Sequence, residues 1–87
     1  MDAALVFNGI TPARFDAICA RAQRATGIAI KGLNGTAQRD TPLGVVEILW
    51  SCNPQTDMLT LQCLRRPPFT LGKIESGLRD LVEGTND

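Results

Sequence analysis

Cys19, Cys52 and Cys63 are the side chains of this sequence best suited to nucleophilic or redox chemistry, and their spacing argues against both uses. No two of them form the close C-x-x-C pair that holds zinc or runs thiol exchange. Histidine is absent, so the commonest nitrogen ligand and the commonest general base are both missing, and tyrosine is absent as well. A thiol becomes a nucleophile beside a base or a positive charge, and each cysteine here falls in an apolar stretch, which raises a thiol pKa. The three read as small buried residues of a reducing compartment. The carboxylates are scattered, with Asp16 on the polar side of a helix, Glu47 on the outer side of a strand, and Asp40 and Asp57 in turn-like segments. No two of these are obliged to meet. The run Gly32-Leu33-Asn34-Gly35 is too short for a phosphate-binding glycine motif. These residues point away from an enzyme and assign no catalytic group, no cofactor and no metal.

Arginine offers a second chemistry. With a rotation of about 100° per residue, Arg14, Arg21 and Arg24 fall within an arc of roughly 80° on one helix. Arg65 and Arg66 make a second basic point. Guanidinium groups grip phosphate bidentately, so this flank is a candidate contact for nucleic acid or another anion. Nine Lys and Arg balance nine Asp and Glu, which leaves no net charge to draw a polyanion toward the molecule. A solvated arginine flank is the reading favoured over a phosphate site.

The elements that must position these residues follow from local signals. The chain has 87 residues, enough for one domain with one modest core. Thr11 can cap a helix, Pro12 suits its first position, and Ile10 and Phe15 can close a hydrophobic staple around the start. Phe15, Ile18, Cys19, Ala22 and Ala25 form its apolar stripe, and Thr26-Gly27 ends it, giving a helix over 12–25. Residues 27–33 alternate, with Ile28 and Ile30 on one side, and read as a strand. Residues 34–42 read as a polar loop or irregular edge, because Asn34-Gly35 favours a turn and Pro42 cannot occupy a central strand.

Residues 45–65 carry the strongest pattern, two strand-forming runs flanking the turn formers Asn53-Pro54-Gln55-Thr56-Asp57. A hairpin centred on Gln55 and Thr56 pairs Cys52 with Leu59, Trp50 with Leu61, Ile48 with Cys63 and Val46 with Arg65. One face is then almost wholly apolar, and a one-residue slip would destroy the match. Cys52 and Cys63 lie on that face but about 13 Å apart along a strand, too far for a disulfide. Arg65-Arg66-Pro67-Pro68 stops the strand, Thr70 can cap a second helix, and Leu71, Ile74, Leu78, Leu81 and Val82 form its stripe up to Gly84. Residues 85–87 are expected to fray.

The fold expected is α+β in two layers, in the order α-β-β-β-α. An antiparallel sheet of three strands carries both helices on one face, and residues 1–9 supply an arm or a fourth edge strand through Val6 and Phe7. That order resembles double-stranded RNA-binding domains in sequence of elements alone. The second helix begins Thr70-Leu71-Gly72-Lys73-Ile74 and lacks their clustered lysines. With no helix left for the outer sheet face, Val45, Leu49, Met58 and Leu64 form a candidate interface there, or the strand edges pair, in a homodimer. The functional expectation is a non-enzymatic cytoplasmic interaction or assembly module, binding itself or another protein and not a membrane. Weak nucleic-acid binding through the arginines comes second, and a small enzyme or a ligand groove between helices and sheet comes third.

Overall fold

A computed structural model describes residues 4–27, 30 and 32–85 of the chain. It runs β1 (Leu5–Phe7), α1 (Pro12–Thr26), β2 (Asn34–Thr41), β3 (Gly44–Asn53), β4 (Met58–Arg65) and α2 (Leu71–Glu83). The four strands form one antiparallel sheet in the order β1-β4-β3-β2. Phe15 and Ile18 of α1 and Val82 of α2 join Trp50, Leu59 and Leu61 in one buried cluster. Both helices therefore cover the same sheet face, and the α+β class and two-layer order stand as expected.

The start of α1 follows its local signals. The Thr11 hydroxyl accepts from the Arg14 N–H at 3.3 Å, Pro12 opens the first turn, and both staple residues are buried, Ile10 to 1% exposure. Gly27 closes the helix in the left-handed conformation, with its N–H bonded to the Gln23 carbonyl. The β3–β4 hairpin keeps the expected register from Cys52↔Leu59 through Ile48↔Cys63. The Asn53 side chain accepts from the Gln55 N–H to shape its turn. Cys52 and Cys63 occupy different rungs, and all three cysteines are free thiols.

The hairpin departs from expectation at its open end. A register shift between Glu47 and Ile48 leaves Leu64 as an extra residue of β4, so Arg65 pairs with Glu47 and not with Val46. The bulge turns Arg65 out of the apolar row and sets it opposite an unlike charge. Leu64 is left without a ladder partner of its own, and the partners of Leu49 are Gln62 and Thr36.

The segment 34–42 requires the largest correction. Residues 34–41 are not a loop but the strand β2, paired with β3 along its whole length. Of the strand expected over 27–33, Gly27 is the helix cap and Gly32 and Leu33 form a bend, while Ile28, Ala29 and Lys31 lie outside the described residues. Gly35 explains the disguise. It faces Trp50, and a Cβ placed there would lie 2.7 Å from the Trp50 Cζ2 atom, so the glycine makes room for the indole and does not form a turn. The indole N–H donates to the Gly32 carbonyl at 3.2 Å. The β2–β3 turn falls at Pro42-Leu43 instead, where the Thr41 hydroxyl donates to the Gly44 carbonyl and accepts from the Leu43 N–H.

Two helix-end assignments also change. Thr70 does not cap α2, because its hydroxyl donates backward to the Pro67 carbonyl. Thr85 is not frayed but buried, and Asn86 and Asp87 lie outside the described residues. Leu5–Phe7 does form the edge strand, pairing with β4. Substituting Gly35→Ala should lower stability by about 1–3 kcal/mol, since the new methyl overlaps a packed indole. Urea unfolding followed by Trp50 fluorescence checks this, and an unchanged midpoint would contradict it.

Candidate binding site

A helix leaves its last four carbonyls without intrahelical partners, and cations nearby satisfy them best. The last turn of α2 contains no basic residue. Two arginines of α1 take that role. Arg14 donates through Nε to the Thr85 carbonyl and through Nη2 to the Val82 carbonyl, at 3.3 and 3.2 Å. Arg21 donates through Nη1 to the carbonyls of Asp80 and Leu81 and to the Thr85 hydroxyl, at 3.2, 3.4 and 3.1 Å. Gly84 permits this approach, because a Cβ at that position would lie 2.7 Å from Arg21 Nη1.

This clamp fixes α2 at its C-terminal end, where Val82 is buried, while the rest of its apolar stripe is only half-buried. Leu78 and Leu81 pack against the edge of the core cluster, and with Ile74 they keep part of their surface open. Between them, α1 and the inner sheet face lies a cleft of about 610 Å³. Its floor is Ala37 of β2, Ile48 and Trp50 of β3, and Leu59 and Leu61 of β4. Phe15, Ile18, Cys19 and Ala22 form the α1 wall, and Ile74, Gly77, Leu78 and Leu81 the α2 wall. Charge is confined to a few residues at its border, among them Arg39, Asp40, Lys73 and Asp80. The two most exposed large apolar side chains, Phe69 at 102% and Leu43 at 74%, stand near the meeting point of the β2–β3 turn and the approach to α2.

The residues singled out by sequence take different places. Of the arginine flank, Arg14 and Arg21 are engaged with α2, and Arg24 is exposed in the last turn of α1. Arg65 is exposed at the end of β4 and Arg66 half-buried beyond it. The candidate interface residues Val45, Leu49, Met58 and Leu64 are all half-buried, so the most exposed apolar groups lie elsewhere. Burial raises the thiol pKa of Cys19, with Asp16 and Cys52 adding to the effect, and burial followed by Asp57 raises that of Cys52. Both thiols stay protonated at neutral pH and are poor nucleophiles. Among the described residues no cluster of histidine, cysteine and carboxylates could hold a metal, and no helix is long and apolar enough to cross a membrane.

The arrangement can enclose an apolar body and present charge at its edge. No family profile, curated protein or solved structure matches the chain. Its own geometry therefore carries the functional argument. Sequence offers a groove between helices and sheet only as a third reading, because the stripe of α2 looks the same whether it packs fully on the sheet or lines an opening. The clamp left a trace, the acidic end Asp80-Leu81-Val82-Glu83, which must draw its cation from another element.

Replacing Arg21→Met should cost about 1–2 kcal/mol, since it strips donors from partly buried carbonyls. Arg24→Met should cost less than about 0.5 kcal/mol, as expected for an exposed surface position. Thermal unfolding of both variants checks the difference, and equal effects would contradict the clamp.

Proposed function

We propose that this chain is a non-catalytic binding module whose cleft receives an apolar small molecule. The observation that carries this reading is the cleft itself. Its volume of about 610 Å³ falls inside the range of roughly 300–1,000 Å³ usual for small-molecule sites, and its walls are predominantly apolar. Leaving the stripe of α2 half-wet forgoes hydrophobic stabilisation of about 25 cal/mol per Å², which a ligand would restore. The neutral, apolar-flanked thiols and the lack of histidine support binding without catalysis.

An uncharged solvatochromic dye should bind with a blue shift, at one equivalent per chain. Gly77 lines the cleft, and a Cβ there meets nothing within 4 Å, so Gly77→Leu adds bulk to the cleft while favouring the helix. It should weaken the dye by about tenfold or more, consistent with the effect of filling a pocket at roughly 1.4 kcal/mol per decade. Gly72→Leu, in the same helix but outside the cleft lining, should leave binding unchanged. Dye binding indifferent to Gly77→Leu would contradict the reading.

A second reading, self-assembly, draws support from β2. This strand is eight residues long, pairs with β3 without a bulge, and lies at the sheet edge, whereas the opposite edge strand β1 has only three residues. Long unprotected edges favour pairing with another strand. Antiparallel pairing of two copies about Ala37 sets Thr36 opposite Gln38 and Asn34 opposite Asp40, polar partners on one face. Net charge is zero, so two copies do not repel. Sedimentation at micromolar concentration should give a dimer, and Thr36→Lys with Gln38→Lys should give a monomer. A monomeric parent chain would remove this reading.

A further inference from the structure

We propose that the cleft selects an amphiphile with an anionic end, a single-chain alkyl carboxylate being the simplest case, with Arg39 and Lys73 receiving the head group. This rests on the reading that the cleft binds an apolar molecule, and it adds the polarity and direction of the ligand.

Arg39 pairs with Val46 in the ladder, and both residues border the cleft, so Arg39 lies on the inner side of β2 at the cleft margin. Lys73 borders the cleft from the first turn of α2. The two cations thus come from different elements, the sheet edge and α2. They also belong to the same end, because the β2–β3 turn meets the approach to α2, where a Cβ on Gly44 would lie 3.3 Å from the Pro67 side chain. The side chains of Arg39 and Lys73 make no hydrogen bond or ion pair among the described residues. The other arginine at the border, Arg21, is already committed to the carbonyls of α2. Of the acids at the border, Asp40 pairs with Val45, one rung from Arg39, and so its side chain leaves the opposite face of the strand. Asp80 lies two turns along α2 from Lys73, beside the Arg21 clamp. One end of an apolar cleft is therefore cationic, and an anionic amphiphile matches it with the chain lying over Ile48 and Trp50.

Competition against the uncharged dye tests this, using dodecanoate, dodecanol and dodecyltrimethylammonium below their micelle concentrations at pH 8, where the carboxylate is ionised. Dodecanoate should displace the dye at about fivefold lower concentration than dodecanol, the scale of partly exposed ion pairs, and the quaternary amine should be weakest. In the Arg39→Gln, Lys73→Gln double variant the advantage of dodecanoate should vanish while dodecanol binds as before. Equal affinity of dodecanoate and dodecanol for the parent chain, or a carboxylate preference surviving in the double variant, would overturn the proposal. If the dye binds and none of the three competes, the ligand class is wrong although the cleft binds apolar molecules. If the dye does not bind, both readings fall.

Discussion

The anchoring of α2 by two arginines of α1 is the interaction on which the shape of this molecule depends. A short amphipathic helix contributes to a fold mainly through packing, since nucleation makes isolated helices marginal. α2 is a weak case, with Gly72 and Gly77 in its interior, no side-chain cap at its start and no basic residue in its last turn. What it lacks at its C-terminus is supplied by Arg14 and Arg21, which meet the carbonyls of Asp80, Leu81 and Val82. Charge-assisted bonds of this kind are roughly twice as strong as neutral ones. They hold Val82 in the core and tie residues that are more than fifty positions apart in sequence.

An anchor at one end has a geometric consequence. The helix is held where the arginines grip it, and Ile74, Leu78 and Leu81 of its stripe stay half-buried along the cleft. Small residues line the opening: Ala37 on the inner side of β2, Ala22 on α1 and Gly77 on α2. The indole of Trp50 lies against Gly35 and adds one aromatic side chain to an otherwise aliphatic floor.

Local signals in the sequence determine α1 and the β3–β4 hairpin, and both were legible. The cap, proline and staple around Thr11 act within a few residues, and the alternation from Ile48 to Cys63 specifies a register by burial alone. The bulge at Leu64 was not legible, because nothing local distinguishes an extra residue from a continuing strand. Strand β2 is disguised in the sequence for a physical reason. Asn34-Gly35 ordinarily marks a turn, and the inward positions Gly35, Ala37, Arg39 and Thr41 carry no apolar alternation, because they floor a cleft and accommodate Trp50 instead of filling a core. The arginine flank was seen, but its partner was not. The acidic end of α2 does not say which cations will meet its carbonyls. Arg14 and Arg21 therefore read as a solvated flank, with a phosphate contact as the alternative, when they are bonded to α2.

The central claim is that the inner cleft is a binding surface for an apolar chain, and amide and methyl chemical-shift mapping during a dodecanoate titration tests it most directly. The account predicts saturable shifts concentrated on Ala37, Ile48, Trp50, Leu78 and Leu81, with Val6, Leu49 and Leu64 on the rest of the sheet unaffected. Shifts centred on those latter residues, or none up to the solubility of the ligand, would contradict it.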